Sequence, residues 1–479
     1  MFGWIRGLFS SRATSANRVE VRYVRAKYDA AQTTHDNARH WAAADGLSAS
    51  AANSHGIRET LRRRSRYECT NNGIASGVVA TLTNDVIGTG PRLQIAAARE
   101  LTRPIERAFR LWADEICLAD KLRTMRRTQC VDGECFALLG NNSRLRSPVQ
   151  LDVRLIEADR ITDPWLAPLS VEWIDGVKYD REWNPLTYRV LRSHPGDLRL
   201  YPIAGYGDFD EYAAAQVLHV FRAERPGQVR GVPELVSTLG LFAEMRRYTL
   251  AVLAAAETAA DFAWFLKTNS PNVDVVQSDP FSTVEIERRM GQVLPQGWQV
   301  DQLKAEQPTT TYDMFRRNLI NEAARPLNMP YGVAAGDSSG YNYASGRLDH
   351  QVYQRAIGID REYYARRVLD PILYAWLNEA ALVPGLIPDG LGPFAMWEWA
   401  WHWDGFGHVD PTKEANAENV RLANHTTTLA DSYAAQGKDW EEQVRQRARE
   451  LDLMRSLNLP IATAQVVEET EEVGDAEEN

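Results

Sequence analysis

The stretch VPELVSTLGLFAEMRRYTLAVLAAAETAADFAWFL, residues 232–266, decides how the chain is read. Pro233 suits a first helical turn, and about 33 further residues carry no other proline, against a mean helix of about 11–12 residues. The window from Tyr248 to Leu266 has the length of a membrane span. However, Glu257 and Asp261 stand four residues apart on one helical face, where lipid would penalise both. The spacing therefore predicts one long helix outside a membrane, and a helix of that length needs a partner along much of its side.

Downstream, residues 268–309 turn polar and proline-punctuated, with one helical piece, TVEIERRMGQV, and a turn and strand in PQGWQVDQL. A second helix begins near Thr311, with Tyr312, Phe315, Leu319 and Ala323 on one stripe. A small insertion thus separates two helices. Then comes VAAGDSSGYNYASGR, residues 333–347, whose GDSSG fits the G-x-S-x-G elbow of a serine hydrolase with Ser338 as nucleophile. The elbow requires a buried strand running in and a helix running straight out. MPYGVAA, with Pro330 and Gly332, is a poor central strand, and YNYASG follows. Asp370, His402 and His408 stand in the right order for a triad, so a Ser338 hydrolase is kept as the alternative. Gly336 and Gly340 lack the Gly-Lys pair of a nucleotide phosphate loop.

ASGRLDHQVYQRAIGIDREYYARRVLDPILYAWLNEAAL follows as a long helical pattern, with a kink expected at Pro371. FAMWEWAWHWDGF alternates as a strand, placing Trp397, Trp399, Trp401 and Trp403 on one face, where core packing is favoured over base stacking. HWDGFGHVD gathers His402, Asp404, His408 and Asp410, but at no zinc spacing, so structural or capping roles are expected. Asp410 and Pro411 read as an N-cap and first turn, and DWEEQVRQRARELDLMRSL as the last helix; past Pro460 the acidic tail is expected to be disordered.

Upstream, TLRRRSRYECTNNGIASGVVATLTNDVIG has helical spacing and stops at GTGP. Arg58, Arg62, Arg63, Arg64 and Arg66 cluster at its entry, read as a solvated or subunit-pairing face ahead of a phosphate patch. From about 128 to 225, short runs such as CFALL, VRLI, YRVL and QVLHVF between turn residues predict a β-rich region. The start, MFGWIRGLFSSR, is too short and too interrupted by Arg6 for an export signal.

The bulk numbers fit this layout. The 479 residues, 44% apolar and 25% charged, suit an ordinary globular chain of roughly 2–4 domains. Of the net charge of −10, the seven acids between Glu468 and Glu478 supply most, leaving a body close to neutral that does not announce a DNA-coating protein. Cys69, Cys117, Cys130 and Cys135 match neither a disulfide framework nor a zinc knuckle and are read as free thiols.

KYDAAQTTHDNARHWAAADGLSA (27–49), NDVIGTGPRLQ (84–94), RPGQVRGVPEL (225–235), YASGR (343–347) and WDGFGHVDPTKEANA (403–417) together resemble the lambda-like family of tailed-bacteriophage portal proteins. The likeness runs in order from about Tyr28 to about Leu457. It implies an α+β portal fold in a dodecameric ring at one capsid vertex of the virion, assembled in the host cytoplasm. Through the ring a terminase motor drives double-stranded DNA. It implies a structural chain with no enzymatic activity, cofactor or membrane. The partners would be the terminase large subunit, head-completion or connector proteins, the major capsid protein and scaffold.

The implied layout is an N-terminal helical and β-rich wing region to 230, a first stem helix over 231–267, a clip over 268–309 and a second stem helix over 310–327. A tunnel loop over 328–346 follows, then a kinked helix over 347–385, a wing return strand over 386–409, crown helices over 410–460 and the tail over 461–479. The loop residues Gly336, Asp337, Ser338, Ser339, Gly340, Tyr341, Asn342 and Tyr343 would face the DNA, and Glu257 and Asp261 are candidates for the stem lumen. A near-neutral body suits a conduit, because a lumen lined with lysine and arginine would hold DNA by counterion release.

Overall fold

The computed structural model describes residues 35, 38–97, 99–163, 172–197, 209–260, 264–268, 298–302, 312–340, 342–407 and 411–460. Up to Ser48 the described residues form turns, with the Ala44 amide donating to the Trp41 carbonyl at 3.0 Å. From Ala49 onward the chain is one compact unit.

It opens with α1 (Ala49–Ala52), α2 (His55–Asn71) and α3 (Gly73–Ile87). The break between α2 and α3 is the work of Asn72, whose side chain accepts from the amides of Ile74 (3.1 Å) and Ala75 (3.4 Å) and caps the second helix. Ala75, Val78, Val79, Leu82 and Val86 of α3 are buried at helical spacing in the main core. β1 (Arg92–Ile95), α4 (Arg99–Glu115) and α5 (Leu118–Asp132) lead into the β-rich region: β2 (Glu134–Asn141), β3 (Leu151–Ile156), β4 (Trp173–Ile174), β5 (Val177–Tyr179), β6 (Pro185–Leu191), β7 (Phe209–Ala213) and β8 (Val217–Phe221). Two antiparallel sheets result, ordered β3-β2-β8 and β4-β5-β6-β7.

β2 divides the interior. Cys135, Ala137 and Leu139 face the main core, while Phe136 and Leu138 face a second core with Val177, Tyr188 and Val190. The two-residue period of a strand puts alternate side chains on opposite faces, so a strand buried on both sides reads as the unbroken apolar run CFALL.

α6 spans Leu239–Ala260, and β9 (Trp264–Thr268) pairs antiparallel with β10 (Trp298–Gln302). The helix expected over 231–267 is therefore shorter at both ends. At its start, Glu234 donates its amide to the Cys130 carbonyl at 3.0 Å and residues 236–238 form a 3-10 turn. At its end, the aromatic run WFLKT takes a strand partner from the insertion. The helical piece read in TVEIERRMGQV lies outside the described residues.

α7 (Tyr312–Ala324) runs into a 3-10 turn at Arg325–Leu327, then α8 (Tyr331–Ala335), α9 (Tyr343–Tyr364), a π-helical segment Ala365–Leu369 and α10 (Asp370–Ala380). The irregularity expected at Pro371 thus takes the form of a π turn directly before it, where proline can donate no helical bond. The long helix begins at Tyr343, inside the span expected as loop, and α8 occupies another part of that span. β11 (Trp399–His402) pairs antiparallel with β1. Its register aligns Leu93 with Trp401, and Trp397, Trp399, Trp401 and Trp403 pack on the main core. α11 (Pro411–Ala423), α12 (Leu429–Ala435) and α13 (Trp440–Ser456) close the described chain; Asp410 lies outside it, and Asp439 caps α13.

Candidate functional site

The loop between α8 and α9 is short and organised around one carboxylate. Gly336 ends α8 in the left-handed region at φ +65°. Oδ1 of Asp337 then accepts from the Ser339 amide (3.0 Å) and hydroxyl (2.6 Å). Oδ2 accepts from Arg317 Nη2 of α7 (3.1 Å) and from the Tyr331 hydroxyl (3.3 Å). The Ser339 hydroxyl and amide hold the Asp337 carboxyl below its ordinary range. Ser338, Ser339 and Gly340 are exposed, and Tyr341 lies outside the described residues. Asn342 caps α9 reciprocally with Ser345, and Tyr343 is the first helical residue.

This geometry does not make Ser338 a nucleophile. A helix, not a strand, leads into it, and Asp370 Oδ1 accepts from the indoles of Trp399 (2.8 Å) and Trp401 (2.9 Å). His402 bonds Gln94, and His408 lies outside the described residues. Asp404 accepts from the Thr89 amide (2.5 Å) and hydroxyl (2.8 Å), so two motifs more than three hundred residues apart, GTG and WDGFG, meet as a structural joint. Among the described residues no cluster of His, Cys, Asp and Glu is arranged to hold a metal. Glu257 is exposed near the end of α6, while Asp261 lies outside the described residues.

The most strongly built polar site is one the sequence conceals. Glu134, fully buried at the start of β2, accepts from Arg230 Nη2 (2.7 Å), Arg62 Nη1 (3.3 Å) and the Gly231 amide (2.9 Å), and faces His219 Nε2 at 3.2 Å. Arg62 also reaches Asp159 (3.2 Å), Arg66 reaches Asp132 (2.6 Å) and Asp159 (2.7 Å), Arg230 reaches Asp175 (3.0 Å), and Arg58 pairs with Asp175. Four arginines thus meet four carboxylates, which is the condition under which charges tolerate burial. Burial alone would raise the Glu134 carboxyl, but Arg230 and His219 hold it well below the usual range; burial pushes the His219 imidazole down.

The cluster also explains the RGVPEL turn. A Cβ on Gly231 would stand 2.1 Å from the Gly133 carbonyl oxygen, so only glycine lets the two backbones pass. The arginine run of α2, read as a solvated or pairing face, is therefore corrected for Arg58, Arg62 and Arg66, which bolt α2 to both sheets. Arg63 and Arg64 remain exposed.

A helix pair with a two-stranded ribbon between its members, two antiparallel sheets, and a capped loop leading into a long interrupted helix make up the architecture that these elements define. The sequence profile described as phage portal protein, lambda family, matches residues 35–361, and the chain belongs to that family. It is similar to a probable portal protein of Halomonas phage phiHAP-1, at 23% identity over 437 residues covering 84% of this chain and 82% of the relative. Among solved structures it is similar to a chain from the neck of an empty GTA particle (13% identity, 80% of this chain and 93% of that one, TM-score 0.42). It is also similar to a chain from the virion of a native gene transfer agent particle (13% identity, 76% and 99%, TM-score 0.34).

Proposed function

We propose that this chain is the subunit of a dodecameric portal ring, set at one vertex of a phage capsid and conducting double-stranded DNA during packaging and ejection. The observation that carries the reading is membership of the portal family across residues 35–361. In this reading α6 and α7 form the stem and β9, β10 and the residues between them the clip. The two sheets build the wing, and α11 to α13 the crown. Residues 336–343 form the tunnel loop facing DNA, with Glu257 and Asp261 toward the stem lumen. The terminase large subunit and later the head-completion proteins dock on the ring, and the major capsid protein and scaffold surround it.

The chain itself performs no catalysis in this scheme, and a separate motor supplies the energy of translocation. The test is the native mass and electron-microscopic image of the purified particle. A closed twelve-membered ring without ATPase or esterase turnover is the expected result. A small oligomer labelled at Ser338 by a fluorophosphonate, with turnover lost in Ser338→Ala, would overturn it in favour of a hydrolase.

A further inference from the structure

Two helices of this chain are apolar on both sides. α9 buries Tyr353, Ile357 and Tyr364 against the core, yet on its other face Leu348, Val352 and Ile359 are 64%, 56% and 63% exposed. α6 buries Phe242, Met245 and Val252, yet leaves Leu250 and Leu253 59% and 54% exposed. Large apolar side chains left exposed at helical spacing, rimmed by charge, mark a face that another surface covers.

The charges bordering these two stripes differ. On α9 half-buried Asp349 and exposed Arg347 border the stripe on opposite sides and offset each other, exposed Arg355 beside it adds a positive charge unpaired among the described residues, and Glu362 further along is already paired with Arg366. On α6 the stripe lies between the self-neutralised pair Glu244–Arg247 (2.9 Å) and exposed Glu257. The α9 face is thus net positive and the α6 face net negative. Two copies joined α9 to α9, or α6 to α6, would set like charges against each other, whereas α9 against α6 sets opposite ones together.

We infer that the α9 stripe of one copy packs on the α6 stripe of the next, as a head-to-tail junction. Such a contact joins two different patches and leaves one of each free at the ends, so it propagates until the ring closes. The inference rests on the ring reading above and adds to it the surfaces and the polarity of the contact. It also moves Glu257 from the lumen to the edge of the subunit junction.

The test uses two full-length variants, Leu348→Glu with Val352→Glu, and Leu250→Glu with Leu253→Glu. All four side chains are exposed, so both should melt as the isolated subunit does; serine replacements at the same positions serve if either melt is lowered. Native mass spectrometry is expected to show each variant alone as a monomer. An equal mixture should give a one-to-one heterodimer and nothing larger, because each variant keeps the face that the other has lost. Homodimers of either variant alone, a mixture that stays monomeric, or variants that still close into rings would overturn the assignment of faces. A wild-type chain that forms no closed assembly would instead sink the ring reading beneath it.

Discussion

Glu134 shows what a single buried charge does when all its partners arrive from elsewhere in the chain. Its neighbours Arg62, Arg230 and His219 come from α2, the turn before α6 and β8. Removing one partner strands the remainder, so Arg230→Ala is expected to cost about 3–5 kcal/mol in denaturant unfolding. Arg63→Ala, which breaks the exposed pair with Glu59, should change stability by less than about 1 kcal/mol. Equal losses in the two variants would show that the cluster is ordinary surface pairing. His219 adds a pH dependence whose sign follows from its lowered pKa. As pH falls through about 6.5, the unfolded chain takes up a proton that the folded site refuses, so folding loses stability toward acid. The melting temperature of wild type should therefore fall relative to His219→Gln between pH 7.5 and 5.5. A constant difference would mean that His219 stays neutral in both states or charges freely in both.

Among the elements, the loop before α9 gives the sharpest expectation. Asp337 ties it to Arg317 of α7, and the capping box at Asn342 belongs to α9 itself. Asp337→Ala should therefore free the loop while leaving assembly intact, and DNA protected from nuclease in particles should change. Loss of rings would make Asp337 structural, and unchanged DNA retention would make the loop a bystander. Several elements were legible because local chemistry sets their ends. α7 shows an amphipathic stripe, α13 opens on the Asp439 cap, and β2 reads as an unbroken apolar run. The ends of α6 were hidden, because Gly240 falls inside its first turn instead of before it and no glycine or proline marks Ala260; long-range bonds to Cys130 and pairing with residues 298–302 set them. The arginines of α2 misled for the same reason. Their carboxylates lie roughly seventy to a hundred and twenty residues away, and a charge run looks alike whether solvated or bolted to a sheet.

For the whole molecule, the acidic tail is the part expected to matter least to assembly. Its seven acids repel one another and carry little apolar surface to bury. A chain ending at Pro460 should form particles of correspondingly lower mass but unchanged subunit number by electron microscopy and native mass. Failure of the truncated chain to assemble would assign the tail a structural role. The π turn at Ala365–Leu369 has a reach that its five residues do not suggest. A widened turn accommodates one residue more than regular pitch allows, and each residue advances a helix by about 100°. It is therefore a phase shifter. Upstream, Leu348 and Val352 point away from their own subunit; downstream, Leu373, Trp376 and Leu377 are wholly sheltered within it. In unbroken α-helical pitch the same sequence would carry that second set round by about 100°, toward the side of Leu348 and Val352, so a single supernumerary position keeps the buried faces of α9 and α10 together along one continuous rod.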